Sequence, residues 1–176
     1  MKAQVSKMAV VVMSGMLVAA SQVALAGPKG DTIVDVAIAV NSEGPFAGDF
    51  DTLIAAVLAA DPAVVETLSG NGQHTVFAPN DDAFDALGLN ADNIATALPQ
   101  DVLTEILLYH VVKGRRYAED VVDSSKLRTL LREFLQQDGG VLTDNLGLEA
   151  EIKVTDVEAA NGIIHVIDAV VLPYAP

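Results

Sequence analysis

The sequence contains neither cysteine nor tryptophan. Without cysteine the chain forms no disulfide, offers no thiol nucleophile and has no attachment point for the lipid anchor of bacterial lipoproteins. Hydrophobic residues nevertheless make up 51% of the 176 positions, which is enough for one domain with a proper core. The stability of that domain must therefore come from its core, without help from cross-links.

Basic residues are also scarce, with 10 Lys and Arg against 24 Asp and Glu. The N-terminal leader described below takes two of the lysines, which leaves 8 basic and 24 acidic residues and a net charge of −16. Binding to nucleic acid needs clustered Lys and Arg, and anionic membranes attract basic segments. The charge therefore argues against both kinds of partner and indicates solubility outside the cytoplasm.

An apolar run stands near the N-terminus. Lys2 and Lys7 give this region a positive start, and Met8 to Val18 is apolar apart from one Ser and one Gly. Ala24-Leu25-Ala26 follows as a small-x-small cleavage site. The run is shorter than the roughly 20 residues needed to cross a membrane. The pattern predicts a secretory signal peptide cleaved between Ala26 and Gly27, and hence a secreted or periplasmic protein.

No internal repeat, heptad or low-complexity tract divides the rest of the chain. A single domain is therefore predicted between two short flanking segments. We expect a signal peptide at residues 1–26, a flexible arm at 27–31, the folded domain at 32–173 and a tail at 174–176.

The stretch from Thr75 to Leu87 predicts a strand that turns sharply into a helix. Its first three residues favour β structure, and Pro79 ends the strand because it cannot donate to a ladder. Asn80 suits the N-cap of a helix, and the two aspartates after it favour the positive end of the helix dipole. Phe84 lies on the apolar stripe of that helix. We therefore expect a buried strand–helix corner here.

Apolar residues at helical spacing predict several further helices. Asp49 is the predicted N-cap of one, whose apolar positions are Phe50, Leu53, Ile54, Val57 and Leu58. Asp61 and Pro62 supply the cap and the first-turn proline of the next. The other predicted helical segments are Thr32–Val40, Asn90–Leu98, Pro99–His110 and a turn at Val121–Val122.

Strands are predicted mainly in the second half of the sequence. Short ones are expected at Val111–Val112 and at Arg128–Leu131, the latter extended through Phe134–Leu135, with turn composition at Gln136–Gly140. A strand pair is expected between Val141–Thr143 and Ala150–Thr155. Asn161-Gly162 forms a tight turn into Ile163–Pro173, whose continuous apolar composition predicts a strand buried on both faces.

Three separated motifs carry a resemblance to a known family. They read TVFAPNDDAF at residues 75–84, LLYHVV at 107–112, and NGIIHVID at 161–168 followed by VVLP at 170–173. In order and spacing they resemble the fasciclin (FAS1) domain from about Thr32 to Pro173. The resemblance implies an α+β fold, a wedge-like β-sandwich flanked by several helices. It also implies cell adhesion or extracellular interaction without catalysis.

The resemblance further assigns roles to individual residues. In animal members, integrin binding has been attributed to a Tyr-His pair and to an Asp-Ile pair. The matching partner-binding candidates here are Tyr109, His110, Asp156 and Val157. The motif residues expected in the core are Thr75, Phe77, Pro79, Asn80, Phe84, Asn161, Gly162, His165 and Ile167.

An enzyme is the first alternative. His110 and His165 with Asp81 or Asp168 would form an acid–base set, the basis of a hydrolase. However, no serine stands in a G-x-S-x-G setting and no H-E-x-x-H metal motif occurs. A histidine on an apolar helical face is usually a core residue. We therefore expect both histidines to be neutral and buried, and predict no catalytic residue and no cofactor.

An envelope protein that binds calcium or polysaccharide is the second alternative. Acidic and amide side chains cluster at Asn80–Asp85 and at Asn90–Asn93, but the D-x-[DN]-x-[DN]-G calcium loop is missing. Helix capping accounts for these residues without a metal. The favoured interpretation is a non-catalytic adhesion module whose partner is an extracellular protein or polysaccharide of a cell surface or matrix.

Overall fold

The structure, a computed structural model, describes residues 30–175. The predicted signal peptide and most of the predicted arm lie outside these residues, as does Pro176. The helices are α1 Ile33–Ser42, α2 Asp51–Ala59, α3 Pro62–Ser69, α4 Asp81–Asp85, α5 Ile94–Ala97, α6 Gln100–Tyr109 and α7 Ala118–Val122. The strands are β1 His74–Pro79, β2 Val111–Lys113, β3 Lys126–Arg128, β4 Phe134–Asp138, β5 Val141–Thr143, β6 Glu149–Ala159 and β7 Gly162–Ile167. Among the described residues no single helix is long and apolar enough to cross a membrane, although α2 and α3 together, bent by 116°, meet that test of length and composition.

Local capping chemistry determines where α1, α3 and α4 begin. Thr32 and Asp35 form a reciprocal capping box at the start of α1. At α3, Pro62 is the first helical residue, and the N-cap Asp61 accepts from the N–H of Ala63. Asn80 accepts from the N–H of Ala83 at 3.1 Å, which confirms the predicted cap of α4.

The prediction that Asp49 caps α2 is wrong. The helix begins at Asp51, and its N-cap is Phe50, whose side chain cannot accept a hydrogen bond. Side chains from elsewhere satisfy the first N–H groups instead. Asn41 accepts from Phe50 at 2.8 Å and Asp81 accepts from Thr52 at 3.0 Å. Tertiary contacts have therefore replaced the local cap.

The seven strands form a sheet in the order β2-β1-β7-β6-β5-β4-β3. Only β1 and β7 pair in parallel; every other neighbouring pair is antiparallel. The long strand β6 is irregular between Ile152 and Val157, and it pairs with β5 at one end and β7 at the other. A bridge between Val112 and Thr129 brings the two edges of the sheet together. The result is the predicted α+β fold with a wedge-like sandwich and flanking helices.

The central strands β1 and β7 are buried along their whole length, as predicted for the last strand, but that strand ends at Ile167 and not at the predicted Pro173. Their side chains alternate between two apolar clusters. On one face, Val76 and Ile164 join the cluster beneath the helices, together with Phe84. On the other face, Phe77 and Ile167 join a smaller cluster within the sandwich. These two strands therefore form the partition between the two cores.

The predictions for residues 126–140 are partly wrong. The strand predicted at Arg128–Leu131 lies earlier, at β3, where Leu127 pairs with Leu135 of β4. Strand β4 extends through Asp138, into the segment predicted as a turn. The reason is that Gln137 is buried and its amide lies within hydrogen-bonding distance of the carbonyls of Val121 and Ser124. Because the buried residue at this position is polar, the sequence does not show the alternation of apolar and polar residues that is typical of a strand.

Candidate functional site

Tyr109 stands at the end of α6 and is completely buried. Its hydroxyl donates to the carbonyl of Phe134 at 3.1 Å, at the start of β4. Burial raises the pKa of Tyr109 to about 12. This side chain therefore holds α6 against the second half of the sheet and does not lie at the surface.

His110, the next residue, is also buried, and both of its ring nitrogens are used. Nδ1 lies 2.7 Å from the carbonyl of Ile106, and Nε2 accepts from the N–H of Val171 at 3.2 Å. This pattern requires the proton on Nδ1 and a neutral ring. Burial lowers the pKa of His110 to about 4, because the charged form would lose its hydration.

His165 has the opposite tautomer. Its Nε2 lies 3.0 Å from the carbonyl of Arg116, and its Nδ1 accepts from the N–H of Asp156 at 3.3 Å. The ring stacks on Phe77 with centroids 5.6 Å apart. Burial lowers the pKa of this histidine as well. Both histidines therefore act as neutral connectors between backbone segments.

The carboxylates suggested for an acid–base set are engaged elsewhere. Asp81 accepts from the N–H of Thr52 at 3.0 Å, and Asp168 pairs with Lys153 at 3.0 Å. Neither carboxylate forms a hydrogen bond with His110 or His165 in the described part of the chain. The structure does not bring the predicted set together.

Asp156 and Val157 lie in the irregular part of β6. Asp156 is exposed and adopts a φ of 60°, in the left-handed region that few side chains other than Asn and Asp tolerate. Its carboxylate accepts from the N–H of Ala118 at 2.8 Å. Val157 is half-buried and packs against the cluster under the helices. Of the four partner-binding candidates, Asp156 is thus the exposed one.

The motif residues expected in the core are buried, except that Asn80 is half-buried at its cap. Asn161 joins three segments: its oxygen accepts from the N–H of Ile33 at 2.8 Å, and its nitrogen donates to Leu68 and Gly70. The next residue must be glycine, because a β-carbon at position 162 would overlap the carbonyl oxygen of His74. The third motif therefore fastens the helices to the central strands.

Thr75 and His165 also hold the loop that follows β2. The hydroxyl of Thr75 donates to the carbonyl of Gly114 at 2.8 Å and accepts from the N–H of Arg116 at 2.9 Å. The guanidinium of Arg115 donates to the carbonyls of Ala159 and Gly162. Buried motif residues thus fix the position of a loop that carries two arginines.

That loop forms one wall of a cleft of about 570 Å³, here called the basic cleft. The other wall is the turn after β3, which the bridge between Val112 and Thr129 places opposite. Its lining residues are Val112, Lys113, Arg116, Arg128, Thr129, Leu130 and Arg132. The cleft cannot be predicted from the sequence, because its two walls lie apart in the chain and no motif signals their approach.

The amide and acidic clusters considered for calcium are used in capping and turn formation. Asn80 caps α4, while Asn90 accepts from the N–H groups of Asp92 and Asn93. Asn93 in turn accepts from the N–H of Asn90 at 2.8 Å. Within residues 30–175 no group of three or more His, Cys, Asp or Glu is placed to hold a metal ion.

Comparison with known sequences gives consistent matches. The sequence model of the Fasciclin domain matches residues 48–173. Protein sll1483 of Synechocystis sp. is 44% identical over 128 residues, which cover 70% of this chain and 67% of the relative. Transforming growth factor-beta-induced protein ig-h3 of Sus scrofa is 34% identical over 126 residues, which cover 70% of this chain but only 18% of the relative.

A solved structure shares the fold. It is a FAS1 domain pair from the insect cell adhesion molecule Fasciclin I, with a TM-score of 0.52 and 22% sequence identity. The alignment covers 66% of this chain and 42% of that structure. At this identity the likeness speaks for the architecture alone.

Proposed function

Since the chain belongs to the fasciclin domain family, we propose that it is a non-catalytic adhesion module outside the cytoplasm. Its partner in this proposal is a protein or polysaccharide of a cell surface or extracellular matrix. The proposal includes removal of residues 1–26 on export, a short arm at 27–31, the domain at 32–173 and a tail at 174–176. The solved structure that shares the fold comes from a cell adhesion molecule.

The commitment of the two histidines is the observation that carries the non-catalytic part of the proposal. In each ring, one nitrogen donates a hydrogen bond to a backbone carbonyl and the other accepts one from a backbone N–H. A general base needs a free nitrogen within reach of a substrate proton. Catalysis by His110 or His165 would first require breaking a buried hydrogen bond, whose loss destabilises the fold.

Asp156 is the residue most accessible to a partner among the family candidates. Tyr109 and His110 would contribute by holding the neighbouring backbone, because their own side chains are buried. Val157 would set the position of the irregular segment through its packing. The direct contact in this proposal is therefore the carboxylate of Asp156, presented by a left-handed residue.

Binding of the purified protein to the envelope and matrix of its own producing cell tests the proposal. The wild-type protein should sediment with that fraction, and Asp156→Asn should bind about tenfold more weakly. Asn keeps the left-handed backbone and an oxygen for Ala118, so the fold should not change. Glu158→Gln on the same strand is the matched control and should bind as the wild type does.

Two outcomes would contradict the proposal. If the wild-type protein binds no envelope or matrix fraction, the proposed adhesion function is wrong. Alternatively, His110→Ala or His165→Ala could leave melting unchanged while abolishing turnover of a substrate, and that result would identify an enzyme. We expect instead that each histidine variant melts at a lower temperature and that its folded fraction still binds.

A further inference from the structure

The Lys and Arg residues are distributed very unevenly. All seven that fall within residues 30–175 lie after residue 112, and four of them line the basic cleft. The chain as a whole has a formal net charge of −14. A local surface of opposite sign in such a protein requires an explanation beyond solubility, because net negative charge already provides that.

The cations of the cleft are not neutralised by the protein. Within the described chain, salt bridges form only between Lys153 and the carboxylates of Glu151 and Asp168. No acidic residue from the described ranges lines the basic cleft. The 24 acidic residues were available as partners, yet Lys113, Arg116, Arg128 and Arg132 have none within 4.0 Å.

Both walls of the cleft are held in place by specific backbone contacts. Arg116 is fixed through its carbonyl by His165 and through its N–H by Thr75. On the opposite wall, Thr129 accepts from the N–H of Arg132 at 3.0 Å and donates through its hydroxyl to Glu133 at 3.0 Å. The basic side chains therefore start from fixed positions, which lowers the entropic cost of binding.

Two of these arginines are in unfavourable states for a purely structural residue. The Nε of Arg116 is buried and makes no hydrogen bond within residues 30–175. Arg132 has a φ of 73°, which Gly would adopt with less strain. The strained backbone of Arg132 is a cost that a role in ligand binding would justify. The Nε of Arg116 has almost no exposed surface and adds no ligand contact of its own.

We propose that the basic cleft binds the sulfate or carboxylate groups of an acidic saccharide, as part of a surface or matrix polysaccharide. The inference rests on the proposed adhesion function and adds to it a second contact surface, apart from Asp156, with its own class of partner. Arg pairs with such oxyanions through two parallel hydrogen bonds, and Lys adds a point charge. The volume of about 570 Å³ lies in the range of small-ligand sites and suits one or two sugar units.

Nucleic acid fits the cleft less well. Single strands bind to aromatic platforms, and no aromatic ring from the described residues lines this cleft. A long chain of closely spaced phosphates would also extend from the cleft over the acidic remainder of the protein, where it is repelled. Saccharide chains present hydroxyls between their charged groups.

Titration with saccharides of defined length tests the inference. The probes are a sulfated oligosaccharide, a uronate oligosaccharide, a neutral oligosaccharide of the same length, a single-stranded oligonucleotide and inorganic sulfate alone. At least one of the two acidic saccharides should bind, and its affinity should fall as salt is added because the contacts are charged. The neutral saccharide should not bind, and sulfate alone and the oligonucleotide should bind at least about tenfold more weakly.

Three single-charge variants locate the binding. Arg128→Gln and Arg132→Gly should each weaken binding of the acidic saccharide at least about tenfold, since each removes a charged hydrogen-bond donor. Arg128 is exposed and Gly suits the backbone at residue 132, so neither variant should melt at a lower temperature. Lys153→Gln is the control. It removes the same charge outside the cleft and should bind normally.

The inference is overturned if neither acidic saccharide binds, if sulfate alone or the oligonucleotide binds as tightly, or if Lys153→Gln loses as much affinity as the cleft variants. The envelope-binding assay separates this failure from that of the adhesion proposal. If the wild type binds the envelope and the cleft variants bind equally well, the cleft inference alone fails. If the wild type does not bind the envelope, the adhesion proposal fails.

Discussion

The two halves of the described chain differ in how they use charge. Residues 30–112 contain 13 acidic residues and no Lys or Arg, whereas residues 113–175 contain 11 acidic residues and all seven of the basic ones. The first half can therefore form no salt bridge of its own with Lys or Arg. Its aspartates accept from backbone N–H groups, either locally, as Asp35 and Asp61 do, or across the fold, as Asp81 does with Thr52.

The second half has cations but uses few of them for ion pairs. Only Lys153 is paired within residues 30–175, while four other basic residues gather in the basic cleft. Exposed salt bridges contribute at most about 1 kcal/mol to stability, so the fold loses little by this arrangement. We conclude that the first half contributes mainly to packing, whereas the second half presents charged side chains at the surface.

The largest expected effect concerns the packing of the first half. Replacing Phe84 with Ala should lower the free energy of unfolding by about 3–5 kcal/mol, because the ring is buried beneath the helices and its loss leaves a cavity. Urea denaturation at neutral pH measures the change. Ordinary domains have about 5–15 kcal/mol in total, so this variant should be marginally stable.

Phe134→Ala in the second half is the matched control. The ring of Phe134 is 49% exposed, and its carbonyl remains available to Tyr109 after the substitution. The free energy of unfolding of Phe134→Ala should therefore be close to that of the wild type. Equal losses for the two variants would contradict the burial of Phe84 beneath the helices.

The next effect concerns His110, at the junction of the halves. Its pKa is lowered to about 4 in the fold against an ordinary value of 6.5, so the unfolded chain binds the proton more readily. Its contribution is fully present above pH 6.5 and is lost as the pH falls from 6.5 towards 4. The loss should reach roughly 3 kcal/mol.

Nitrogen-15 NMR of the histidine rings measures this titration in the folded protein. His110 should keep its proton on Nδ1 and His165 on Nε2 at neutral pH. In addition, as the pH is lowered from 6.5 towards 4, the urea midpoint should fall less steeply for His110→Gln than for the wild type. A His110 ring that titrates near pH 6.5 while the protein stays folded would contradict the expected burial.

The smallest of the three effects concerns the link between the halves. Asn161→Ala should lower the free energy of unfolding by about 2 kcal/mol, because the N–H of Ile33 and the carbonyls of Leu68 and Gly70 lose their partner. Asn145→Ala removes one long bond of 3.3 Å at the surface and serves as the control. If the two variants melt alike, Asn161 does not fasten the halves together.

Local chemistry made much of the first half predictable. The cap at Asn80 and the proline after Asp61 each act within a few residues, and the structure confirms them. The cap predicted at Asp49 failed because Asn41 and Asp81, distant in sequence, satisfy the same N–H groups. Even here, a tertiary contact can replace a local signal.

The second half was less predictable because its features depend on pairing across the chain. Strand β4 buries Gln137, so its alternation could not be seen in the composition. Likewise, the count of charges argued against nucleic acid and anionic membranes, but it could not show that Arg116 and Arg132 lie at the same cleft. That juxtaposition follows from the bridge between Val112 and Thr129.

The same bridge has a consequence for self-association. Unpaired edge strands act as templates on which further chains add, and this is the usual route to amyloid. Here the two outermost strands, β2 and β3, are each three residues long, and their ends meet at Val112 and Thr129. The two outermost strands thus offer little length of free edge, which limits strand addition at this side of the sheet.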